Sequence, residues 1–445
     1  MKRRFLAIVS LILCVASMLS SVGCSIDDGG DSSESATDAY SESITESLKK
    51  TEKKTEKRTN KKTTAKKETE LIPGVSTTKE NLTSKTYNFA NMSLINQSYF
   101  KFLGRTKVSQ DGLIFDTSCA TLEFQGYMTG DVVIEIQTKK NHNYGNSFFT
   151  VYIDGKRSET RFEVGSNKTA KLTIASFTGK YFHNIKIVKQ TEFKWSLATV
   201  KSLEIKGILS KAPKEKELYV EFFGDSLTAA YGNIGKAGVS NGDSPKYEDG
   251  TQSYAYIFAN AIGADYSMMS RSAAGINQCW SNSPIIDYHK KFSKDRSSEA
   301  FDIANARKPD LIVIHLGAND YNVAREKVND IYKDKSLSES AKESKAAESL
   351  RSSKRNFVDG AKKLINYLHD GYGKDIPIIW AYDPNEGFPT EVKEIINSFG
   401  GESAGYYTIA LPYTDKGADY HPTVKEHEKH AKQLQDLIVS KNILK

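Results

Sequence analysis

The chain has 445 residues, a formal charge of +7, four Cys and 38% hydrophobic residues. That is enough chain for two domains with sizeable cores. The densest basic stretch is one short run, and the rest of the chain shows no basic stripe with interleaved aromatics, so a nucleic-acid footprint is absent. The cysteine spacing offers no metal site.

In chain order, residues 1–24 read as a targeting segment. Lys2-Arg3-Arg4 precede an apolar run from Phe5 to Leu19, too short to span a bilayer comfortably. Ser21-Val22-Gly23-Cys24 then resembles a bacterial lipobox. In this reading Cys24 carries the lipid, the membrane is a partner, and the chain sits on the extracellular face of the bacterial cell membrane. Plain secretion is the alternative. Residues 25–84 cannot build a core. They start acidic and then carry ten Lys/Arg against two Glu between Lys49 and Lys67, in a four-residue repeat. Such a stretch buries too little apolar surface to offset its ordering entropy and is expected to be a disordered tether.

Residues 85–212 read as β structure. Runs at 132–136, 147–153, 184–188 and 200–205 suit strands, and Asp154-Gly155 marks a tight hairpin. Several short strands without a helical period predict a β-sandwich of the jelly-roll kind. Its aromatics, Trp195 among them, are expected in the core. Residues 213–445 alternate strand and helix. Strands are expected at 218–223, 265–269, 311–316, 376–382 and 406–410. A helix is expected at 254–261, with Tyr254, Ile257, Phe258 and Ala261 on one face. Apolar runs with helical crossovers predict an α/β domain built on a doubly wound parallel sheet. In such sheets the site lies beyond the carboxyl ends of the strands.

Three segments carry chemistry. The run 219–223 ends in Gly224-Asp225-Ser226, the place where an α/β enzyme puts a nucleophile. Gly224 is expected to permit the turn through its conformational freedom. Gly317-Ala318-Asn319-Asp320 follows a second buried strand, and Asp419-Tyr420-His421-Pro422 opens the last helix. A serine hydroxyl needs a base within hydrogen-bond reach, and His421 is the candidate. The Ser226 N–H and the Asn319 amide can hold an oxyanion. Ser, Asn and Asp/His in this order resemble the SGNH (GDSL) hydrolase superfamily. That resemblance implies a flavodoxin-like α/β/α domain and a third oxyanion donor from the loop after the second strand. There Ala273 matches a position normally held by Gly, with Gly275 next. In many such enzymes the acid lies three residues before the His, which here is Ala418. Either the Asp419 side chain turns in to reach His421, or a backbone carbonyl orients the ring and the site is a Ser–His dyad.

Other residues read as structure. His427, Ala431, Leu434 and Ile438 form the apolar face of one helix, so His427 and His430 are expected to pack rather than bind metal. Asp225 is expected to shape its turn, and His315 to be a satisfied core histidine. Cys119 and Cys279 are expected to be ordinary buried thiols, a disulfide between them being the alternative.

The two-domain body resembles carbohydrate esterase family 2. Gly104-Arg105, the hairpin at 151–155, Lys189-Gln190-Thr191-Glu192, the run 221–232 and Asp419-Tyr420-His421-Pro422 carry that likeness. It departs at Ala230 and Ala273, where Gly is usual, and at Tyr420, which replaces the aromatic lining the sugar site. The resemblance implies a cofactor-free, metal-free monomer that removes O-acetyl groups from polysaccharides such as xylan or glucomannan. The catalytic residues would be Ser226, His421 and Asp419, the oxyanion donors Ser226, Ala273 and Asn319, and the sugar contact Tyr420. The alternatives are an ester hydrolase of O-acetylated peptidoglycan or another ester with the same residues, and a catalytically impaired carbohydrate-binding protein.

Overall fold

A computed structural model describes residues 77–445, apart from 142–144, 240–244, 282 and 445. The targeting segment with Cys24, and the tether up to residue 76, lie outside the described residues. Packing begins ahead of the expected boundary at 85. Thr77 bridges Tyr181, and Leu82 is buried.

The first part is antiparallel. Its strands are β1 (Ser84–Asn88), β2 (Phe100–Leu103), β3 (Thr106–Ser109), β4 (Gly112–Phe115), β5 (Thr121–Lys140), β6 (Ser147–Ile153), β7 (Lys156–Val164), β8 (Thr169–Lys189) and β9 (Ser196–Leu209). The hydrogen-bonded order is β3-β4-β9-β5-β8-β6-β7, with β1 on β9 and β2 on β5. The expectation of short strands is corrected here: β5 and β8 run for 20 and 21 residues. The polar stretch Thr129-Gly130-Asp131 resembles a break. The ladder instead shifts register between Met128 and Gly130, and Gly130 takes φ 66°. A bulge bends a strand and leaves its pairing to resume. The β6–β7 hairpin turns as expected at Asp154 and Gly155, with φ 53° and 81°. Val132, Ile134 and Ile136 point inward with Phe115, Phe124 and Phe149 to form this part's core. Trp195 is fully buried.

The second part is a parallel sheet of β10 (Tyr219–Gly224), β11 (Asp265–Ser270), β12 (Leu311–His315), β13 (Ile378–Tyr382) and β14 (Tyr406–Ala410). Its order is β11-β10-β12-β13-β14. On one face Phe223, Ile314 and Trp380 pack against Phe357, Leu364 and Ile395. On the other, Val220, Phe222 and Val313 pack against Phe258, Ala259 and Leu434. Both faces are thus covered by helices, which is why the strands are apolar throughout. The helix Tyr254–Ala261 forms where expected, but its buried residues are Tyr254, Ala255, Tyr256, Phe258 and Ala259, and Ala261 is exposed. The buried stripe is rotated from the one the sequence suggested and widened by Tyr256.

Buried charge joins the two sheets. Lys101 meets Asp265 at 2.7 Å, and Arg296 grips Asp116 through Nε and Nη2 at 2.9 and 2.7 Å. Arg105 lays its guanidinium on the Phe301 ring, 3.2 Å from its centroid, 3.6 Å from Glu221 of β10. Phe193 and Leu197 of the first part enter the core of the second. Breaking one partner of such a pair leaves an uncompensated buried charge, so the two sheets hold to one another as a unit. Cys119 and Cys279 are free thiols; Cys119 is buried as expected, but Cys279 is only half-buried, because it sits in the surface loop beside Trp280.

Candidate active site

β10 lies between β11 and β12, so the crossover direction reverses at its carboxyl end. That crevice is the usual ligand position in such sheets, and the loops after all three strands meet there. Gly224 ends β10, and space rather than φ demands it. A Cβ would fall 1.9 Å from Thr228 Oγ1, while the residue's φ is not left-handed. The conformational reading of Gly224 is corrected on that point. Asp225 caps the short helix Ser226–Ala229 by accepting the Leu227 N–H at 2.9 Å. Burial pushes its carboxyl up to about 7. It shapes the turn, as expected, and leaves Ser226 at the edge of the sheet.

The structure brings Ser226 and His421 together. His421 Nε2 lies 2.8 Å from Ser226 Oγ. Its other ring nitrogen, Nδ1, lies 2.9 Å from the main-chain oxygen of Asp419. The Asp419 carboxylate is turned elsewhere and accepts the Tyr231 hydroxyl at 3.1 Å. Of the two arrangements open from the sequence, the geometry is that of the carbonyl-oriented dyad. The side chain of Asp419 does not reach the imidazole. The cause is local backbone: Asp419 and Tyr420 are both left-handed, with φ 49° and 61°. Residues held in that region persist only where their surroundings over-determine them. Burial lowers the His421 pKa, and Lys194 adds to this. The hydrogen bond that His421 donates to the Asp419 carbonyl, and the charge of Asp419, oppose the shift. The Tyr231 ring lies 4.7 Å from the imidazole and stacks on Trp195 at 5.8 Å.

Ala273 takes φ 68° and Ala230 φ 64°. The left-handed backbone that Gly would supply is therefore present without Gly. Gly275 is a glycine for space, since a Cβ there would meet Gln278 O at 2.1 Å. Among the described residues, neither the Ser226 nor the Ala273 N–H donates to a protein acceptor. Both line the same cleft, as two preorganised donors should. Asn319 lines it too, but its Nδ2 donates to Ala274 O at 2.8 Å and to Asp225 Oδ2 at 3.2 Å. The amide is thus nearby and committed, with the longer bond the weaker one.

The cleft holds about 660 Å³ and is lined by Lys194, Ser226, Asp383, Glu386 and Tyr420 among others. Two aromatics stand at it unusually bare, Tyr420 at 66% exposure and Trp280 at 53%. Trp280 was not singled out in the sequence. Its signal is a large apolar residue in the otherwise small and polar loop around Gln278 and Ser281. His427 packs with Ala431 and Leu434, as expected, and the described residues contain no cluster of ligands able to hold a metal ion. His315 departs from expectation. It is buried, but neither ring nitrogen has a protein partner, and burial lowers its pKa to about 3.

A serine hydroxyl hydrogen-bonded to an imidazole, at the switch point of a five-stranded parallel sheet, is the arrangement of a GDSL-type serine hydrolase site. Residues 220–434 match the family model GDSL-like Lipase/Acylhydrolase. Residues 102–213 match Carbohydrate esterase 2 N-terminal. The chain thus carries a carbohydrate esterase 2 N-terminal domain followed by a GDSL-like domain, the two matches lying within residues 102–434. It is 28% identical over 315 residues to Cellulase/esterase CelE of Acetivibrio thermocellus, covering 67% of this chain but only 34% of that relative. A family two carbohydrate esterase from Clostridium thermocellum, solved with cellohexaose, superposes with a TM-score of 0.63 at 24% identity. The match covers 77% of this chain and 98% of that one. An acetyl xylan esterase from the rumen bacterium Butyrivibrio proteoclasticus superposes at 0.64 and 19% identity, covering 81% and 98%. The likeness to these two structures is one of fold.

Proposed function

We propose that the chain is a serine esterase that removes O-acetyl groups from polysaccharides such as xylan or glucomannan. The observation that carries this reading is the 2.8 Å contact between His421 Nε2 and Ser226 Oγ, with the far side of the ring held by the Asp419 carbonyl. Ser226 Oγ attacks the acetyl carbonyl carbon while its proton passes to Nε2. The tetrahedral oxyanion rests on the N–H groups of Ser226 and Ala273. Asn319 adds a third donor by yielding its long bond to Asp225. The C–O bond to the sugar breaks as His421 returns the proton to the leaving hydroxyl. Water then attacks the acetyl-enzyme as His421 takes its proton, the Ser226 Oγ–acetyl bond breaks as His421 returns that proton to Oγ, and acetate leaves. No step requires a cofactor. The open cleft with bare Trp280 and Tyr420 suits a polymer laid across the site, because sugar faces stack on aromatic rings. We read the antiparallel part as the jelly roll that flanks it.

Acetate release from acetylated xylan, acetylated glucomannan and O-acetylated peptidoglycan tests the reading. Xylan or glucomannan as the best substrate supports it. Peptidoglycan as the best would move the assignment to the wall polymer. No Ser226-dependent release from any would overturn the esterase. We also propose that Cys24 carries a lipid and the charged tether holds the enzyme outside the membrane. Cys24→Ala should then shift the protein from the membrane fraction to the medium, and unchanged fractionation would contradict that.

A further inference from the structure

The segment that follows β8 reaches out of the antiparallel part and ends in a carboxylate, Glu192, with no exposure to solvent. That carboxylate belongs to one domain, but it is spent on the other. Oε2 accepts the Ser272 N–H at 2.7 Å, and Oε1 accepts the Ser272 hydroxyl. Glu192 is itself fixed from behind. Its own N–H donates to Glu248 Oε1 at 2.5 Å, and the other Glu248 oxygen accepts the Trp195 indole N–H at 2.8 Å. Lys189, fully buried, donates to the Glu192 carbonyl at 3.3 Å.

We propose that Glu192 is a positioning residue for the esterase reaction: the antiparallel domain, through this carboxylate, holds the loop that presents the Ala273 N–H to the oxyanion. The inference rests on the esterase reading above. Ala273 is the next residue along from Ser272, and it sits at φ 68°. In that conformation the Cβ of a non-glycine residue crowds the following carbonyl oxygen. Left unrestrained, the loop would relax to negative φ and swing the 273 N–H away from Ser226. Two buried carboxylates prevent this from opposite ends. Asp320 accepts the N–H groups of Ile276, Asn277 and Gln278 at 2.8, 2.9 and 2.8 Å. Glu192 holds the near end. Both Glu192 oxygens act as acceptors, so the Ser272 N–H and hydroxyl are held at once. Asp320 comes from the same helix as Asn319. Glu192 alone of the two comes from across the domain boundary, which makes the site incomplete without the antiparallel part.

The test compares wild type, Glu192→Gln, Ser272→Ala and Ser226→Ala in the full chain, with a small chromogenic acetate ester and with phenylboronic acid as an oxyanion-bearing tetrahedral mimic. Glu192→Gln keeps the size and replaces one of the two acceptor oxygens with an amide donor. Its kcat should fall roughly 10- to 100-fold, with KM within about twofold, since misplacing one preorganised donor costs factors of this order. Its affinity for the boronate should fall by a similar factor, and its thermal midpoint should stay within a few degrees. Ser272→Ala removes only the hydroxyl half of the contact and should lower kcat about 3- to 10-fold. A purely structural Glu192 would instead lower the thermal midpoint without touching the boronate affinity per folded molecule. That result, or an unchanged kcat in Ser272→Ala, overturns the proposal even if Glu192→Gln fails to fold. A wild type with no Ser226-dependent turnover overturns the esterase reading itself.

Discussion

His421 and Asp419 are joined through the backbone: the imidazole Nδ1 lies 2.9 Å from the Asp419 carbonyl, while the Asp419 carboxylate answers to the Tyr231 hydroxyl. A carbonyl fixes the tautomer that leaves Nε2 free to accept the serine proton, which is the orienting task a triad acid performs. The carboxylate then acts one step removed, holding a left-handed turn. Asp419→Asn keeps the carbonyl and a side chain able to meet Tyr231. It should lower kcat by less than about 10-fold, whereas loss of a true triad carboxylate costs about 10⁴. Steady-state kcat on a small acetate ester decides between the two.

The two kinds of glycine position near the nucleophile should respond in opposite directions. Gly224→Ala drives a Cβ to 1.9 Å from Thr228 Oγ1, under the nucleophile itself. It should cost about 3 kcal/mol, as overpacking does at its upper end, and lower activity with it. Ala273→Gly and Ala230→Gly relieve left-handed alanines. Each should raise the thermal midpoint by about 1–3 °C. Thermal unfolding of the three variants against wild type is the measurement.

Trp280 and Tyr420 should matter to polymers and not to small esters. Trp280→Ala and Tyr420→Ala should each raise KM for acetylated polysaccharide about 5- to 20-fold, since stacking on an aromatic is worth of order 1–2 kcal/mol. Both should leave kcat/KM for the small ester within about twofold. Parallel kinetics on the two substrates test this.

The acid limb of activity should lie below the ordinary histidine range. His421 acts as a base only when neutral, and burial lowers its pKa from 6.5. With the folded pKa depressed, the neutral form survives to lower pH, and activity is lost as pH falls through that value. The same residue contributes acid lability: the unfolded chain binds its proton first, so its share of stability is complete above 6.5 and is lost as pH falls toward the folded pKa. A kcat/KM profile whose acid limb sits above 6.5 would contradict the assignment.

Ser226, Asn319 and His421 were legible in the sequence because each follows a buried apolar run or opens a helix. Local pattern and chemistry therefore pointed the same way. The parallel direction of the strands followed from the helical crossovers between them. The length of β5 and β8 was not legible, because a bulge at Gly130 and a true strand break use the same residues. The split roles of Asp419 were not legible either. They depend on two consecutive left-handed residues that no composition announces. The hold of Glu192 on Ser272 joins residues 80 apart in the chain, and only the packed domain boundary brings them together. Gly224 was recognised as necessary for the wrong reason, since sequence cannot tell a glycine needed for φ from one needed for room.

The central claim is that one oxygen, Ser226 Oγ, does the covalent chemistry with His421 as its base. Labelling the full chain with a fluorophosphonate and mapping the adduct by mass spectrometry tests it most directly. The account predicts a single adduct on the peptide containing Ser226, absent in Ser226→Ala and slowed at least 100-fold in His421→Ala. An adduct elsewhere, or labelling of Ser226 that ignores His421, would contradict it.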